Sequence, residues 1–372
     1  MTIIELIGAA SLCAWAYLVF GRGGFWRIRE TPVPPLVAAD KSVAVVIPAR
    51  NEERLVAQAV NSLIQQRYRG PLQIFLVDDH SSDGTVAAAG PHDRLTILSA
   101  RALPEGWTGK LWAVSEGLAR AAATNPDYIL LTDADVVHAP DSVAGLVARA
   151  EAGNLDLVSC IVKLQCSSFA ERAMIPAFVF FFFMLYPPAW IASGRRGTAG
   201  AAGGCILIRP SALRRIGGIE AIRGELIDDC ALARAVKTSA NIWLGVARET
   251  RSIRDYRTFA DVRRMISRTA FTQLNHSVFL LVGTIAGMAV VYLAPPLLPL
   301  TRDPVAAICG IGAWALMTIS YIPVLRFYRR SIVWAPFLPL VALFYLIATV
   351  ESAVLYWRGS GGEWKDRVQD AR

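Results

Sequence analysis

Two aspartates stand side by side in LIDDCALARAV, residues 226–236, at the head of an apolar helical pattern. Asp228 and Asp229 admit two readings. An aspartate at a helix start accepts a free backbone N–H and complements the helix dipole, so the pair could be an N-cap. A carboxylate there could also take a proton as a general base. A second pair, Asp133 and Asp135 in DAD, follows an apolar run at 128–132. Two acids separated by one residue can share a hard divalent cation. Mg²⁺ or Mn²⁺ so held commonly bridges to diphosphate oxygens. A third pair, Asp78 and Asp79, opens DDHSSDGT (78–85), with a turn at Asp83-Gly84. A carboxylate there can accept the N–H of a base or a ribose hydroxyl; capping and turn formation are the plainer alternative. PARNEE (48–53) ends a strand at Pro48 and sets Asn51, Glu52 and Glu53 at the next helix start. Lys110, after Gly109 at another helix start, could sit near phosphate or simply be exposed.

These residues need a scaffold. VAVVI (43–47), LQIFLV (72–77), LTIL (95–98) and YILLT (128–132) read as buried strands. Val56, Ala59, Val60 and Leu63 form one helical face between them; Leu111, Val114, Leu118 and Ala122 form another. Strands alternating with helices predict a mostly parallel α/β sheet with both faces covered. Ligands in such sheets bind beyond the carboxyl ends of the strands, where the acids lie. The Gly-rich GTAGAAGGCILI (197–208) precedes a further strand. Gly203 and Gly204 permit close backbone approach, and a flexible turn is the alternative.

The composition points to a membrane. Of 372 residues, 54% are hydrophobic and 18% charged, with a mean hydropathy of +0.41. Residues 1–21 read as an N-terminal transmembrane helix, its apolar run lying at 3–20. A signal peptide would carry basic residues before that run; here Arg22, Arg27 and Arg29 follow it. The positive-inside rule then puts the following chain in the cytoplasm. Residues 22–42 read as a linker and 43–270 as a catalytic domain, with an interfacial or re-entrant apolar element at 174–192 or, alternatively, a buried core helix. A C-terminal transmembrane region follows at 276–357, with runs at 276–298, 304–325 and 334–357. The basic tail, 358–372, conflicts with strict alternation: three further crossings carry it outside, whereas its charge favours the inside. Either one run is a hairpin or the tail is an exception.

The net charge of +8 is carried mostly by arginines beside apolar segments, which suits anionic headgroups or phosphate-bearing substrates. No basic stripe of the nucleic-acid kind is present, so no nucleic-acid partner is expected. The six cysteines form no CxxC pair and predict neither a disulfide framework nor a zinc site; a reducing compartment is expected for the catalytic part. The four histidines are scattered, and a histidine-based metal site is not expected.

VVIPARNEE, VDDHSSDGT, GK before an amphipathic helix, DAD and IDDCAL occur in that order and together resemble family 2 glycosyltransferases of the GT-A fold. The resemblance covers roughly 43–270. The flanking spans are similar to the membrane-bound, lipid-modifying branch that includes ceramide glucosyltransferase. LIDDCALA and the terminal GGEWK resemble the hopene-associated glycosyltransferases of bacteria. The resemblance implies an α/β GT-A domain, Rossmann-like with a mostly parallel sheet, joined to transmembrane helices in a bacterial-type inner membrane. Pro48, Glu52, Asp78, Asp79, Lys110, Asp133 and Arg268 would serve the nucleotide-sugar donor. Asp133 and Asp135 would hold Mg²⁺ or Mn²⁺, with Asp135 the more direct ligand. Asp229 would be the general base, and Asp228 would cap or orient. Gly203, Gly204, Phe181 and Trp190 would border the acceptor.

The implied reaction is inverting transfer of a sugar, UDP-linked, to the hydroxyl of a membrane lipid such as a hopanoid. One departure stands out. The family's Gln-x-x-Arg-Trp motif falls on MISRT (265–269), where Arg268 keeps the arginine but Met265 and Thr269 replace Gln and Trp. That argues against a processive polysaccharide synthase. It also motivates an alternative: a catalytically degenerate nucleotide-sugar-binding accessory of lipid biosynthesis or trafficking. A transporter is disfavoured, since Glu351 is the only notable acid within the C-terminal spans.

Overall fold

The structure is a computed structural model describing residues 2–28, 30, 34, 40–364 and 367–368. Arg29 and parts of the expected linker and basic tail lie outside the described residues.

The chain begins with α1 (Ile3–Ala16), which continues through a wide turn at Tyr17–Gly21. A capping box starts it: Thr2 Oγ1 accepts the Glu5 N–H while the Glu5 carboxylate accepts the Thr2 N–H. There follow β1 (Val43–Ala49), α2 (Val56–Ile64), β2 (Leu72–Asp78), α3 (Thr85–Ala89), β3 (Leu95–Ser99), α4 (Gly109–Ala122), β4 (Tyr128–Leu131), β5 (Val136–Val137) and α5 (Ser142–Ala152). Then come β6 (Leu157–Lys163), α6 (Phe169–Leu185), α7 (Pro188–Ile191), β7 (Ile206–Ile208), α8 (Pro210–Arg215), α9 (Asp228–Lys237), β8 (Ile242–Ser252) and α10 (Phe259–Ser267).

Eight strands form one sheet in the order β3-β2-β1-β4-β7-β6-β8-β5. The four expected strands are its parallel half, β3-β2-β1-β4. β7 pairs antiparallel with both β4 and β6, β6 runs parallel to β8, and β5 is an antiparallel edge. β1 is buried along its whole length. Val45 and Ile47 pack with Val56 and Val60 of α2 and Val143 of α5, whereas Ala44 and Val46 pack on the other face with Leu111 and Val114 of α4. A strand covered on both faces reads as continuous apolar sequence, and β1 does.

The helix at 109–122 turns slightly from its expected face: Ala122 is exposed and Ala121 is buried. Gly117 sits where α4 crosses β1 and β2. A Cβ there would lie 2.4 Å from Val46 Cγ1 and 2.9 Å from Val77 Cγ2. Gly117→Ala therefore costs about 1–3 kcal/mol of stability by overpacking, read as a lower thermal midpoint of the detergent-solubilised protein.

Beyond α10 a short helical turn (Thr272–Leu274) leads to α11 (Val278–Met288), a wide turn (Ala289–Leu293) and α12 (Ala294–Leu297). α13 (Pro304–Phe327), a 3₁₀ segment (Ile332–Phe337), α14 (Leu338–Trp357) and a hairpin of β9 (Glu363–Trp364) and β10 (Arg367–Val368) complete the described chain. Five helical stretches are long and apolar enough to cross a membrane: Ile3–Gly21, Phe169–Ile191, Val278–Leu300, Pro304–Phe327 and Ile332–Trp357.

Candidate active site

β1, β2 and β4 point the same way, so the residues that follow them share one edge of the sheet. After β1, Asn51 takes a left-handed conformation (φ 52°), and its Oδ1 accepts the Ser82 N–H at 2.8 Å. The Glu52 N–H donates to Thr85 Oγ1 at 2.7 Å, so the loops after β1 and β2 are joined. Asp78 accepts the Ser81 N–H at 3.3 Å. Asp79 is almost wholly buried, with the Arg50 guanidinium 3.9 Å from its carboxylate.

A cavity opens beside these loops, lined by Pro48, Lys110, Asp133, Gly203, Asp228 and Asp229 over an apolar wall that includes Leu111 and Ile206. The Lys110 ammonium lies 3.0 Å from Asp133 and 3.2 Å from Asp228. Burial opposes the Lys110 charge, but Asp133, Asp228 and Asp229 together hold its pKa above the ordinary range. Burial likewise opposes charge on Asp133; Lys110 overcomes this, Arg254 and Arg268 add to it, and the carboxyl stays below its usual range.

Both oxygens of Asp229 accept backbone hydrogen bonds, from Gly203 N–H at 2.8 Å and Cys230 N–H at 2.7 Å. Burial first, and Asp228 next, push its pKa up to about 6 against the pull of Lys110 and these N–H donors. The result is an oriented carboxylate held above the ordinary carboxylate range. The capping reading of the pair fails. Ile227 is the N-cap residue, and no side chain caps α9. Asp228 stands inside the first turn and pairs with Lys110 instead.

Asp133 and Asp135 do not face alike. The Asp133 side chain is 34% exposed, whereas that of Asp135 is 9% exposed. Oδ2 of Asp135 accepts the Ser252 hydroxyl at 2.6 Å and Arg254 Nε at 3.2 Å. Arg254 also pairs with Glu52, so one guanidinium joins the loop after β1 to DAD. Sequence reading missed Arg254 and Ser252. They lie 119 and 117 residues from Asp135, beside an edge strand, and no local pattern links them to it.

Gly203 lines the cavity, and a Cβ on it would lie 3.3 Å from Lys110 Nζ. Gly204 is a packing position: its carbonyl accepts the Thr132 hydroxyl at 2.8 Å, and a Cβ would meet Val162 and Val136. Phe181 and Trp190 do not line the cavity. Phe181 packs edge-on against Tyr345 and Tyr292, and Trp190 carries the Arg22 and Arg196 guanidinium groups on its ring. An aromatic run in a helix that packs against other apolar helices is drawn into their contact.

The arrangement is the GT-A fold, an α/β nucleotide-sugar scaffold with its acids at the carboxyl edge of the sheet, here joined to apolar helices. Residues 44–217 match the family model described as Glycosyl transferase family 2. Over 134 residues it is 31% identical to 4,4'-diaponeurosporenoate glycosyltransferase of Staphylococcus aureus (strain bovine RF122 / ET3-1), covering 36% of this chain and 33% of that protein. Over 160 residues it is 32% identical to an N-acetylglucosaminyltransferase of Rhizobium leguminosarum bv. viciae, covering 40% and 37%. The chain thus matches about a third of the length of these relatives. Among solved structures, the mannosyltransferase PcManGT of Pyrobaculum calidifontis, in complex with GDP-Man and Mn²⁺, superposes with a TM-score of 0.56 at 18% identity. That superposition covers 95% of this chain and 99% of the other.

Proposed function

We propose that the protein is an inverting glycosyltransferase that moves a sugar from a nucleotide-diphosphate donor, UDP-linked, to the hydroxyl of a membrane lipid. The observation that carries this reading is Asp229: a carboxylate fixed by two backbone N–H groups in a cavity shared with Lys110 and Asp133. The lipid is proposed as a polycyclic isoprenoid of the hopanoid kind, from the resemblance of LIDDCALA and GGEWK.

Asp229 accepts the proton of the acceptor hydroxyl as it attacks the anomeric carbon. The bond from that carbon to the diphosphate breaks, and the configuration inverts. Lys110 and Arg268 offer positive charge to the departing diphosphate. Arg254 holds Glu52 and Asp135 so that the nucleotide loop and DAD keep one spacing.

A divalent cation fits the donor set. Among the described residues no group of three or more His, Cys, Asp or Glu gathers to cage an ion. Mg²⁺ and Mn²⁺ are hard, oxygen-seeking ions, and Mg²⁺ is usually held by one or two carboxylates together with substrate phosphates. Asp133 has the exposure for that role, with the remaining Asp135 oxygen behind it. When bound, the ion would neutralise charge on the diphosphate.

The acceptor would come from the membrane side. Leu18, Arg22, Met184, Leu185, Met288 and Tyr292 border a mostly apolar groove of about 220 Å³ between α1, α6 and α11. Tyr186, the next residue along, bonds Gln273 at 3.0 Å, lies beside the Cys230 thiol and packs against Gly200. Tyr186 thus adjoins the groove through Leu185 and the residue after Asp229 through the Cys230 thiol.

Two outcomes are expected of the purified protein. Arg254→Lys keeps the charge but loses the fork that bonds two carboxylates at once. UDP then binds about tenfold more weakly by titration calorimetry, a loss of about 1.4 kcal/mol. The pH profile of kcat/KM has an acid limb near pH 6. The base must be charged, Asp229 sits above the ordinary carboxylate range, and activity falls about tenfold per unit below that point.

The decisive experiment compares total lipids of a deletion strain, its parent, and strains rescued with wild type or Asp229→Asn, by mass spectrometry. A sugar-bearing lipid lost on deletion and restored by wild type alone supports the reading. Unchanged glycolipids, or rescue by the variant, refute it and favour the accessory binding protein.

A further inference from the structure

We propose that the last long apolar stretch, Ile332–Trp357, does not cross the bilayer: it enters and leaves one leaflet on the side of the catalytic domain, so that the chain beyond Trp357 lies with the active site.

Three other stretches fix the frame. α1 and α13 run side by side in the same direction. Thr2 Oγ1 donates to Asp303 at 3.3 Å at one end, and further along a Cβ on Gly8 would lie 3.1 Å from Cys309 and one on Gly312 3.0 Å from Leu12. Their other ends reach the α/β side. Arg22 donates to the Met184 carbonyl at 2.9 Å, and Lys163 of β6 lies 5.8 Å from the Phe327 ring. The stretch Val278–Leu300 returns in the opposite direction, since a Cβ on Gly310 would lie 2.6 Å from Leu298. These three stretches join the catalytic side to the far side marked by Thr2 and Asp303.

Ile332–Trp357 behaves differently. It starts shortly after Tyr328, at the catalytic side, and Trp334 meets Phe169 at the start of α6, which in turn meets Phe259 of α10. At its other end Tyr356 stacks on His276 at 4.1 Å, and both Tyr356 and Trp357 meet Phe271. Between them Phe344 meets Phe259, Glu351 pairs with Arg263 at 3.2 Å, and Ser352 Oγ accepts the Phe271 N–H. From 344 to 357 the helix therefore tracks residues 259–276, the segment that precedes α11. A 20-residue helix that crossed would carry one end about 30 Å from the other, through the hydrocarbon.

The side chains fit one leaflet. Leu340 and Ile347 are more than half exposed, and Leu343 and Val350 over a third. They suit acyl chains, while the opposite face packs on α6 and α10. Glu351 is held by an arginine of a helix with exposed charges, which keeps a carboxylate out of the bilayer centre. Arg263, Arg264, Arg326, Arg329, Arg330 and the basic tail then share one side, that of anionic headgroups. The conflict over the tail disappears.

The test uses the full chain with a protease-cleavable epitope placed, in separate variants, after Arg372, at Asp93 in the catalytic domain, or at Arg302 between α12 and α13. Protease is added to sealed vesicles of each orientation. The Arg372 epitope is expected to be cut in the same vesicles as the Asp93 epitope and protected where the Arg302 epitope is cut. An epitope before Thr2 supplies the far-side reference if the Arg302 insertion misfolds. Cleavage of the Arg372 epitope with the far-side reference, or from both sides, overturns the proposal.

Discussion

Asp229→Asn is expected to lower kcat by a factor of about 10²–10⁴, the range of a positioned general base. UDP affinity is expected to stay within about twofold. The amide keeps the shape of the carboxylate and can still accept from Gly203 N–H through its oxygen, but it cannot take a proton at neutral pH. The separation of the two effects is the informative part. A variant that lost both would point to collapse of the loop at 197–204. One that kept turnover would remove Asp229 from the reaction. Single-turnover transfer and titration calorimetry on the same preparation read the two quantities.

Lys110→Met has the second largest expected effect. The methionine fills similar space but removes the only cation within 3.5 Å of both Asp133 and Asp228 among the described residues. Three carboxylates then face one another with less compensation, and the diphosphate loses a donor. Removal of one such electrostatic group costs about 10²–10³ in kcat. The direction of the pH effect is fixed too. Lys110 pulls the Asp229 pKa down, so its loss moves the acid limb above pH 6. A rate loss with an unmoved acid limb would mean that Lys110 serves the donor alone. A kcat/KM profile across pH 5–8 distinguishes the two cases.

Much of the site is legible because Glu52, Asp78, Asp79, Asp133 and Asp135 come just after apolar runs that read as buried strands. Val43–Ala49, Leu72–Asp78 and Tyr128–Leu131 end where the chemistry begins. The antiparallel half was harder. The Gly-rich stretch at 197–208 marks β7, but β5 has only two residues, too few for alternation to emerge, and no motif marks β6. Ser252 and Arg254 reach Asp135 only because β8 returns to that edge. Asp228 illustrates another limit: its neighbours in sequence suggest a cap, but Lys110, brought in by α4, decides its partner. Phe181 and Trp190 lie outside the cavity of Asp229, against Tyr292 and Arg22, which border the groove between α1, α6 and α11.

The wide turn at Ala289–Leu293 has a consequence for how the protein can be rebuilt. Trp15 of α1 donates its indole N–H to the Val291 carbonyl at 2.6 Å and packs edge-on against Tyr292. Within hydrocarbon a carbonyl freed from its helix has no water to turn to, and an unmet one costs several kcal/mol. The first helix is thus matched to its neighbours in chemistry as well as greasiness. Exchanging it for a foreign signal anchor of equal length would preserve the tether and lose the lock.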